Sequence, residues 1–153
     1  MGHQDQPLWR QAAAHTLHTA LFLKAILEEQ LQEETGLLLA DNEALLNLSA
    51  EPLHMSDIAH RLILSRGGTT KVIDRLETLG YVERFPDPED RRATVVEITD
   101  TGRKAMAEAR VVIDRGLEET WARHITEEEA TVIVDVMRRV LGDHLGEHKS
   151  DGG

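Results

Sequence analysis

The sequence predicts a mainly α-helical fold that carries one β-hairpin. Long segments lack glycine and proline and are rich in alanine, leucine and glutamate, which favour helices. One short segment, residues 94–98, alternates as a half-buried strand does. Aromatic residues make up only 3% of the chain, so the core must consist largely of aliphatic side chains.

Three helices are predicted in the first part of the chain. Residues 8–34 contain no glycine or proline and repeat leucine at helical spacing. A second helix is predicted over residues 41–50, with Asp41 as its N-cap. A short third helix covers about residues 56–62, where apolar side chains fall on one face.

A fourth helix and a hairpin follow directly. Ser65 is a typical N-cap residue, and the helix is predicted to continue to Leu79. Residues 81–85 and 93–99 are predicted strands, and residues 86–92 are the turn between them. Two glycines are predicted to end helices, Gly36 and Gly80.

Two long helices complete the pattern. The fifth begins with Asp100 or Thr101 as its cap. Thr126 and Glu129 form a capping box that opens the sixth, which is predicted to reach about His148. Two short helices followed at once by a β-hairpin are typical of a winged helix-turn-helix.

The length favours one domain with its own core. We therefore expect a single domain over residues 1–153. The winged lobe covers residues 36–100, and residues 7–35 and 101–148 are the remaining helical regions. Residues 149–153 are predicted to be a disordered tail.

The charge distribution is uneven. The net charge is −11, which argues against general binding of polyanions. Residues 60–92, however, contain seven basic and six acidic residues, so this segment has a charge of +1. This predicts one electropositive face on an acidic molecule.

Several classes of protein are excluded. The absence of cysteine excludes disulfides, thiolate metal sites and thiol redox chemistry. No apolar run approaches the ~18 residues of a membrane span, and no secretion signal is recognised, so we expect a cytoplasmic protein without a membrane partner. No phosphate loop, nucleophile elbow or zinc-protease motif is present, so we expect no enzyme and no cofactor.

Residues 64–103 resemble the MarR family of transcriptional regulators. The similar features are the serine cap, V-I-D-R-L in the fourth helix, L-G-Y-V-E-R at the first strand, D-x-x-D-R-R at the hairpin tip and I-T-x-x-G-R after it. The element order matches nearly the whole chain, with a short extra strand before the third helix.

The resemblance implies a homodimer in which the first and the last two helices form the dimerisation layer. Each of the two winged lobes would enter one half-site of a pseudo-palindromic operator in double-stranded DNA. The implied function is sequence-specific transcriptional regulation, as a ligand-responsive repressor. The resemblance also implies that an effector, which could be a small molecule, a metal or an oxidant, shifts the DNA-binding geometry.

The fourth helix is predicted to contact DNA through its exposed face. Hydroxyl and cationic groups near a helix N-terminus suit phosphates and base edges. Arg75 is expected to contact the DNA backbone. The predicted contact residues are Ser65, Arg66, Thr69, Thr70, Lys71 and Arg75.

The hairpin tip is predicted to enter a minor groove of DNA, because the negative potential of a narrow minor groove attracts arginine. Arg91 and Arg92 are the candidates, and the resemblance makes Arg92 the inserted residue. Asp90 is expected to orient Arg92 by a charge-assisted hydrogen bond. The alternative is a solvated turn with weak surface ion pairs.

Three residues depart from the family pattern. Gly67 and Gly68 occupy the first turn of the fourth helix, where each costs up to ~1 kcal/mol relative to alanine. They either allow DNA to approach the backbone closely or leave the helix start frayed. Ile63 stands where family members often have glycine. Because a β-branched residue adopts positive φ with difficulty, we expect this turn to be built differently.

A ligand pocket is expected where the dimerisation helices meet the winged lobe. Its candidate lining residues are Trp9, His15, Leu45 and Trp121, although both tryptophans could instead pack in the dimer layer.

Two histidine pairs have a spacing that puts both rings on one helical face: His15 with His18, and His144 with His148. Surface histidines are common and no cysteine supports a site, so no metal is predicted. The alternative to DNA binding is a winged-helix protein-interaction module, which the acidic net charge and the paired glycines would favour.

Overall fold

The computed structural model describes the backbone of residues 6–146 and the side chains to residue 142. The predicted His148 helix end and the 149–153 tail lie outside the described residues. The helices are α1 (Leu8–Thr35), α2 (Leu39–Leu48), α3 (Met55–Arg61), α4 (Arg66–Thr78), α5 (Asp100–Thr120) and α6 (Glu127–Gly146). The strands are β1 (Leu53–His54), β2 (Val82–Pro86) and β3 (Thr94–Ile98), and a 3₁₀ turn, Ala122–His124, follows α5. The predicted winged helix-turn-helix architecture is confirmed.

The core of the winged lobe lies between α2, α3, α4 and the sheet. Its side chains are aliphatic and recur at helical spacing, so each helix turns one apolar stripe inward. Completely or almost completely buried members are Leu45, Leu48, Ile58, Ile73, Leu76, Val82 and Val96. The α1 and α5 helices pack along each other and extend this core with Leu31, Ala105, Ala109 and Val112.

The sheet is antiparallel with the order β1-β3-β2. Val82 of β2 lies opposite Ile98 of β3, and Leu53 of β1 lies opposite Val96. The short strand β1 immediately precedes α3. The sheet therefore attaches the hairpin to the start of the helix-turn-helix.

Several helices begin or end at the local signals that were predicted. The Ser65 hydroxyl accepts a hydrogen bond from the Gly68 amide at 3.0 Å and caps α4. Gly36 and Gly80 both have a φ of 74°, the left-handed conformation of a helix stop. The reciprocal capping box of Thr126 and Glu129 is formed, with bonds of 2.9 and 3.2 Å.

Two predicted caps were wrong. The α2 helix begins at Leu39, and Asp41 lies inside its first turn, where its carboxylate accepts from the Leu38 amide at 2.8 Å. The α5 helix is capped by Thr99, whose hydroxyl accepts from the Gly102 amide at 3.0 Å, rather than by Asp100 or Thr101. In both cases a neighbouring residue already had the extended backbone that a cap requires.

The turn between α3 and α4 also differs from the expectation. Ile63 adopts a φ of 54°, the conformation that its β-branched side chain was expected to prevent. The Leu64 amide donates to the Ala59 carbonyl at 3.0 Å, and the Ile63 amide donates to His60 at 3.1 Å. These two bonds are those of the usual helix end in which one residue adopts the left-handed conformation. The turn therefore has the geometry that glycine normally provides, and the backbone of Ile63 is strained.

The α6 helix makes at most marginal contact with the rest of the described chain. Several of its apolar side chains up to residue 142 are therefore exposed, among them Val132, Val140 and Leu141. The α1 helix also exposes Leu17 and Leu21. Neither α6 nor any other helix within residues 6–146 is long and apolar enough to cross a membrane.

Candidate nucleic-acid interface

The α4 helix presents a polar face at its N-terminal half. Arg66, Thr70 and Lys71 are exposed, while Val72 and Ile73 are buried against the core. Ser65 is exposed as well, but its hydroxyl oxygen is already engaged as the cap. The side chains that remain open to a ligand therefore lie on the first two turns of the helix.

Thr69 is not on this exposed face. Its side chain is 1% exposed, and its hydroxyl donates to the Ser65 carbonyl at 2.9 Å. Thr69 lies three and seven positions before Val72 and Leu76, so it shares their buried stripe. The expectation of an exposed Thr69 was wrong, and this helical spacing could have shown it.

Arg75 has an intramolecular partner instead of a free side chain. Its Nε lies 3.0 Å from both carboxylate oxygens of Asp41, and its Nη2 also donates to that carboxylate. Asp41 is fully buried, whereas Arg75 is about one-third exposed. The phosphate contact predicted for Arg75 remains a prediction, but the guanidinium is primarily committed to Asp41.

The hairpin tip, residues 87–93, is a hydrogen-bonded turn that we call the wing. The Asp87 amide donates to the Ala93 carbonyl at 3.0 Å, and the Ala93 amide donates to the Asp90 carbonyl at 2.9 Å. The Asp90 carboxylate accepts from the backbone amide of Arg92 at 3.0 Å. Asp90 therefore shapes the turn, and the expected bond to the Arg92 guanidinium is not the one formed.

The seven basic residues of the electropositive segment fall into two groups. Arg61 is paired with Glu51, Arg75 with Asp41, and Arg84 with both Asp74 and Glu77. Four others form no ion pair with any residue from 6 to 142: Arg66, Lys71, Arg91 and Arg92. These unpaired cations all lie on the N-terminal half of α4 or on the wing. Within residues 60–92, the cations without an ion pair are therefore confined to this surface.

A cleft of about 370 Å³ separates the wing from the helix-turn-helix. Arg66 of α4 and Arg92 of the wing both line it, so two unpaired guanidinium groups share one concave surface. Its remaining lining residues are His54, Met55, Ser56, Thr69, Thr70, Ala93 and Thr94. We call this space the wing cleft.

His54 also lies in this region, although no sequence motif marked it as a site residue. Its Nε2 lies 2.5 Å from Oδ2 of Asp87, and its Nδ1 lies 3.6 Å from Asp57. The hydrogen bond to Asp87 raises the pKa of His54, and the same bond lowers the pKa of Asp87. No sequence signal could have identified a pair that is 33 residues apart.

A groove of about 700 Å³ lies between α1, α2 and α5, at the junction where a ligand pocket was expected. Its walls are mainly aliphatic, with charged groups among them. Burial raises the pKa of one of these groups, the Glu43 carboxyl. The lining residues include Lys24, Leu27, Leu39, Glu43, Leu46, Met106, Arg110, Ile113 and Leu117.

None of the four predicted pocket residues lines this groove. Leu45 is fully buried in the core of the winged lobe. Trp9 and His15 are exposed near the start of α1, and Trp121 is partly buried after α5. The junction could be located from the element order, but the lining depends on how the helices are rotated about their axes.

The two histidine pairs have a spacing that could suit a metal ion. His15 and His18 are both exposed on α1. Within the described part of the chain, no group of three or more histidine, aspartate or glutamate residues is arranged to hold a metal ion. The side chain of His144 and the whole of His148 lie outside that part.

Comparison with known proteins adds independent information. A sequence model of the MarR family matches residues 35–93. The regulator YdgJ of Bacillus subtilis is 30% identical over 91 residues, which cover 60% of this chain and 55% of YdgJ. The multiple antibiotic resistance protein MarR of Escherichia coli is 28% identical over 80 residues, which cover 52% of this chain and 56% of MarR. The aligned part thus spans about half the length of these relatives.

The fold is also that of a solved regulator. Sco3205 of Streptomyces coelicolor, a MarR family transcriptional regulator in complex with DNA, superimposes with a TM-score of 0.79. The superposition covers 92% of each chain, at 22% sequence identity. At this identity the similarity establishes the fold alone.

Proposed function

Because the chain is a MarR-family winged helix-turn-helix protein, we propose that it is a sequence-specific regulator of transcription that binds double-stranded DNA. One observation carries the proposal: within residues 60–92, the basic residues that form no ion pair with a described residue all lie on α4 or on the wing. An ion pair within the protein would have to be broken to release a cation for phosphate. Arg66, Lys71, Arg91 and Arg92 need no such exchange.

The two elements supply different kinds of contact. The first turns of α4 offer side chains and helix amides suited to base edges and phosphates. Arg92, exposed on the wing, is suited to the negative potential of a minor groove. The wing cleft between them would then face the intervening DNA backbone.

We propose that the regulator works as a homodimer. In a single chain, α6 is almost detached and leaves Val140 and Leu141 open, and α1 leaves Leu17 and Leu21 open. A second copy would cover these faces, in line with the tendency of apolar surface to be buried. A twofold dimer would read a pseudo-palindromic operator whose half-sites are about one helical turn apart.

We further propose repression that responds to a small-molecule effector in the groove between α1, α2 and α5. Glu28 of α1 accepts a hydrogen bond from the Leu39 amide at 2.8 Å, which ties the dimerisation helix to the start of α2. Leu39 also lines the groove. A ligand that displaced this contact would change the position of the winged lobe relative to α1.

A salt titration tests DNA binding. With a fragment from upstream of its own gene, the logarithm of affinity should fall linearly with the logarithm of salt concentration. Arg92→Ala should weaken binding, whereas Arg61→Ala should not, because Arg61 is already paired with Glu51 on the same lobe. An absence of binding, or an affinity that does not change with salt, would instead favour a winged-helix protein-interaction module, which the net charge of −11 suits better. Equal effects of both substitutions would remove the wing from the proposed DNA contacts.

A further inference from the structure

A histidine side chain connects the wing to the residue that precedes α3. His54 is the last residue of β1 and precedes the first residue of α3. Its Nε2 lies 2.5 Å from Oδ2 of Asp87, the first residue of the wing. The Asp87 side chain is only 15% exposed, so the contact is partly shielded from solvent.

The other oxygen of the same carboxylate organises the wing turn. Asp87 Oδ1 accepts from the Glu89 amide at 2.7 Å and lies 3.4 Å from the Asp90 amide. Asp90 in turn accepts from the backbone amide of Arg92. A continuous set of bonds therefore leads from the imidazole of His54 to the backbone of Arg92.

We propose that His54 is a positioning residue for DNA binding, which holds the wing through Asp87 and so sets where Arg92 lies. The inference rests on the proposed DNA-binding function. His54 and Arg92 both line the wing cleft, so a change in the contact acts at the surface that faces DNA. His54 itself need not touch DNA for this role.

The contact is strongest when the imidazole is protonated. The groups that face His54 are the carboxylates of Asp57 and Asp87, which favour the imidazolium, while Arg66 and Arg92 line the same cleft and oppose it. The pKa of His54 is raised from its ordinary value of 6.5, chiefly by the hydrogen bond to Asp87. The contact is therefore complete below pH 6.5 and is lost as the pH rises through the raised pKa.

The test measures affinity for an upstream DNA fragment by fluorescence anisotropy between about pH 6 and about pH 9, which spans the titration of histidine. The wild type should bind about three- to fivefold more weakly at the high end, as expected for a partly exposed ion pair. His54→Gln should remove this decrease, and Asp57→Asn, which alters a partner of His54 outside the wing, should keep it.

Asp87→Asn separates positioning from simple charge. Removing an acidic group near phosphate should strengthen DNA binding if only net charge matters. If Asp87 positions the wing, the same change should weaken binding at about pH 6, where the imidazolium is formed. Tighter binding by Asp87→Asn, or a His54→Gln variant with the wild-type pH profile, would overturn the proposal.

A second measurement is independent of DNA. In the wild-type protein, the NMR shifts of the Glu89 and Arg92 amides should follow the titration of the His54 ring. If the shifts of these wing amides do not change as His54 titrates, the proposal is overturned, even if DNA binding is intact. If the protein binds no DNA but these amides titrate with His54, the proposed function fails while the role of His54 in holding the wing stands.

Discussion

Arg75 of α4 and Asp41 of α2 form a two-point ion pair, with Nε 3.0 Å from both carboxylate oxygens and Nη2 as a further donor. Asp41 is completely buried, and its Oδ2 also accepts from the Leu38 amide. One carboxylate therefore joins the start of α2 to the helix that is proposed to enter DNA.

Arg75→Ala should lower the free energy of unfolding by about 3 kcal/mol, because it leaves a buried carboxylate without its cation. Denaturant unfolding would measure the loss. Arg66→Ala is the matched control, since Arg66 is exposed on the same helix and has no ion pair to a described residue. It should change stability by less than about 0.5 kcal/mol. Equal losses in the two variants would contradict a structural role for Arg75.

Lys71→Ala should reduce the slope of log affinity against log salt by about one, because one phosphate contact is removed. Titrations with the upstream DNA fragment at several salt concentrations would give the slope. Arg61→Ala, which removes a cation already paired with Glu51, should leave it unchanged. A Lys71 variant with the wild-type slope would remove this residue from the phosphate contacts.

Leu141→Glu should convert the protein to a monomer and abolish operator binding at the same time. Leu141 is 45% exposed on α6, and a charge there would have to be desolvated in the proposed dimer. Sedimentation would report the mass, and Glu97→Gln on β3 of the winged lobe serves as a control that remains dimeric. A Leu141→Glu protein that is still a dimer would refute the proposed role of α6.

Ile63→Asn should raise the free energy of unfolding by about 1 kcal/mol. Ile63 is held at a φ of 54°, which is strained for a β-branched residue but accessible to asparagine. Its side chain is 64% exposed, so little buried apolar surface is lost. Ile63→Val keeps the β-branch and should not raise the free energy of unfolding, which thermal or denaturant unfolding would measure. A destabilised asparagine variant would show that the turn carries no such strain.

Gly102→Ala should destabilise the protein by about 3 kcal/mol, because an added Cβ would lie 2.1 Å from the Tyr81 carbonyl oxygen. That carbonyl also accepts from the Thr99 amide, so it cannot easily move away. Gly67→Ala is the contrasting control, since nothing lies within 4 Å of its added Cβ. It should stabilise α4 by up to ~1 kcal/mol. Denaturant unfolding would show whether the free energy of unfolding falls in Gly102→Ala and rises in Gly67→Ala.

Much of the fold could be predicted because it follows from local chemistry. The cap at Ser65 and the glycine stops depend on backbone groups a few residues away. The buried stripes depend on helical spacing alone. The prediction was wrong at Ile63, where it relied on the preference of β-branched residues for negative φ. The closed turn between α3 and α4 imposes a positive φ on this residue.

The candidate site was only partly predictable. Its location on α4 and the wing followed from charge and motif, but which cations are free did not. Arg84 and Arg92 belong to the same basic segment, yet Arg84 is paired with Asp74 and Glu77, whereas Arg92 forms no ion pair with a described residue. The choice depends on which carboxylates the fold brings within reach.

The sequence by itself determined the order of the elements, the cap at Ser65, the glycine stops and the concentration of positive charge in residues 60–92. Only the tertiary structure decided that Asp41 holds Arg75 and that His54 holds Asp87, pairs that are 34 and 33 residues apart. Contacts within a turn are set by the local backbone, whereas contacts between distant residues form only when packing of the core brings their elements together.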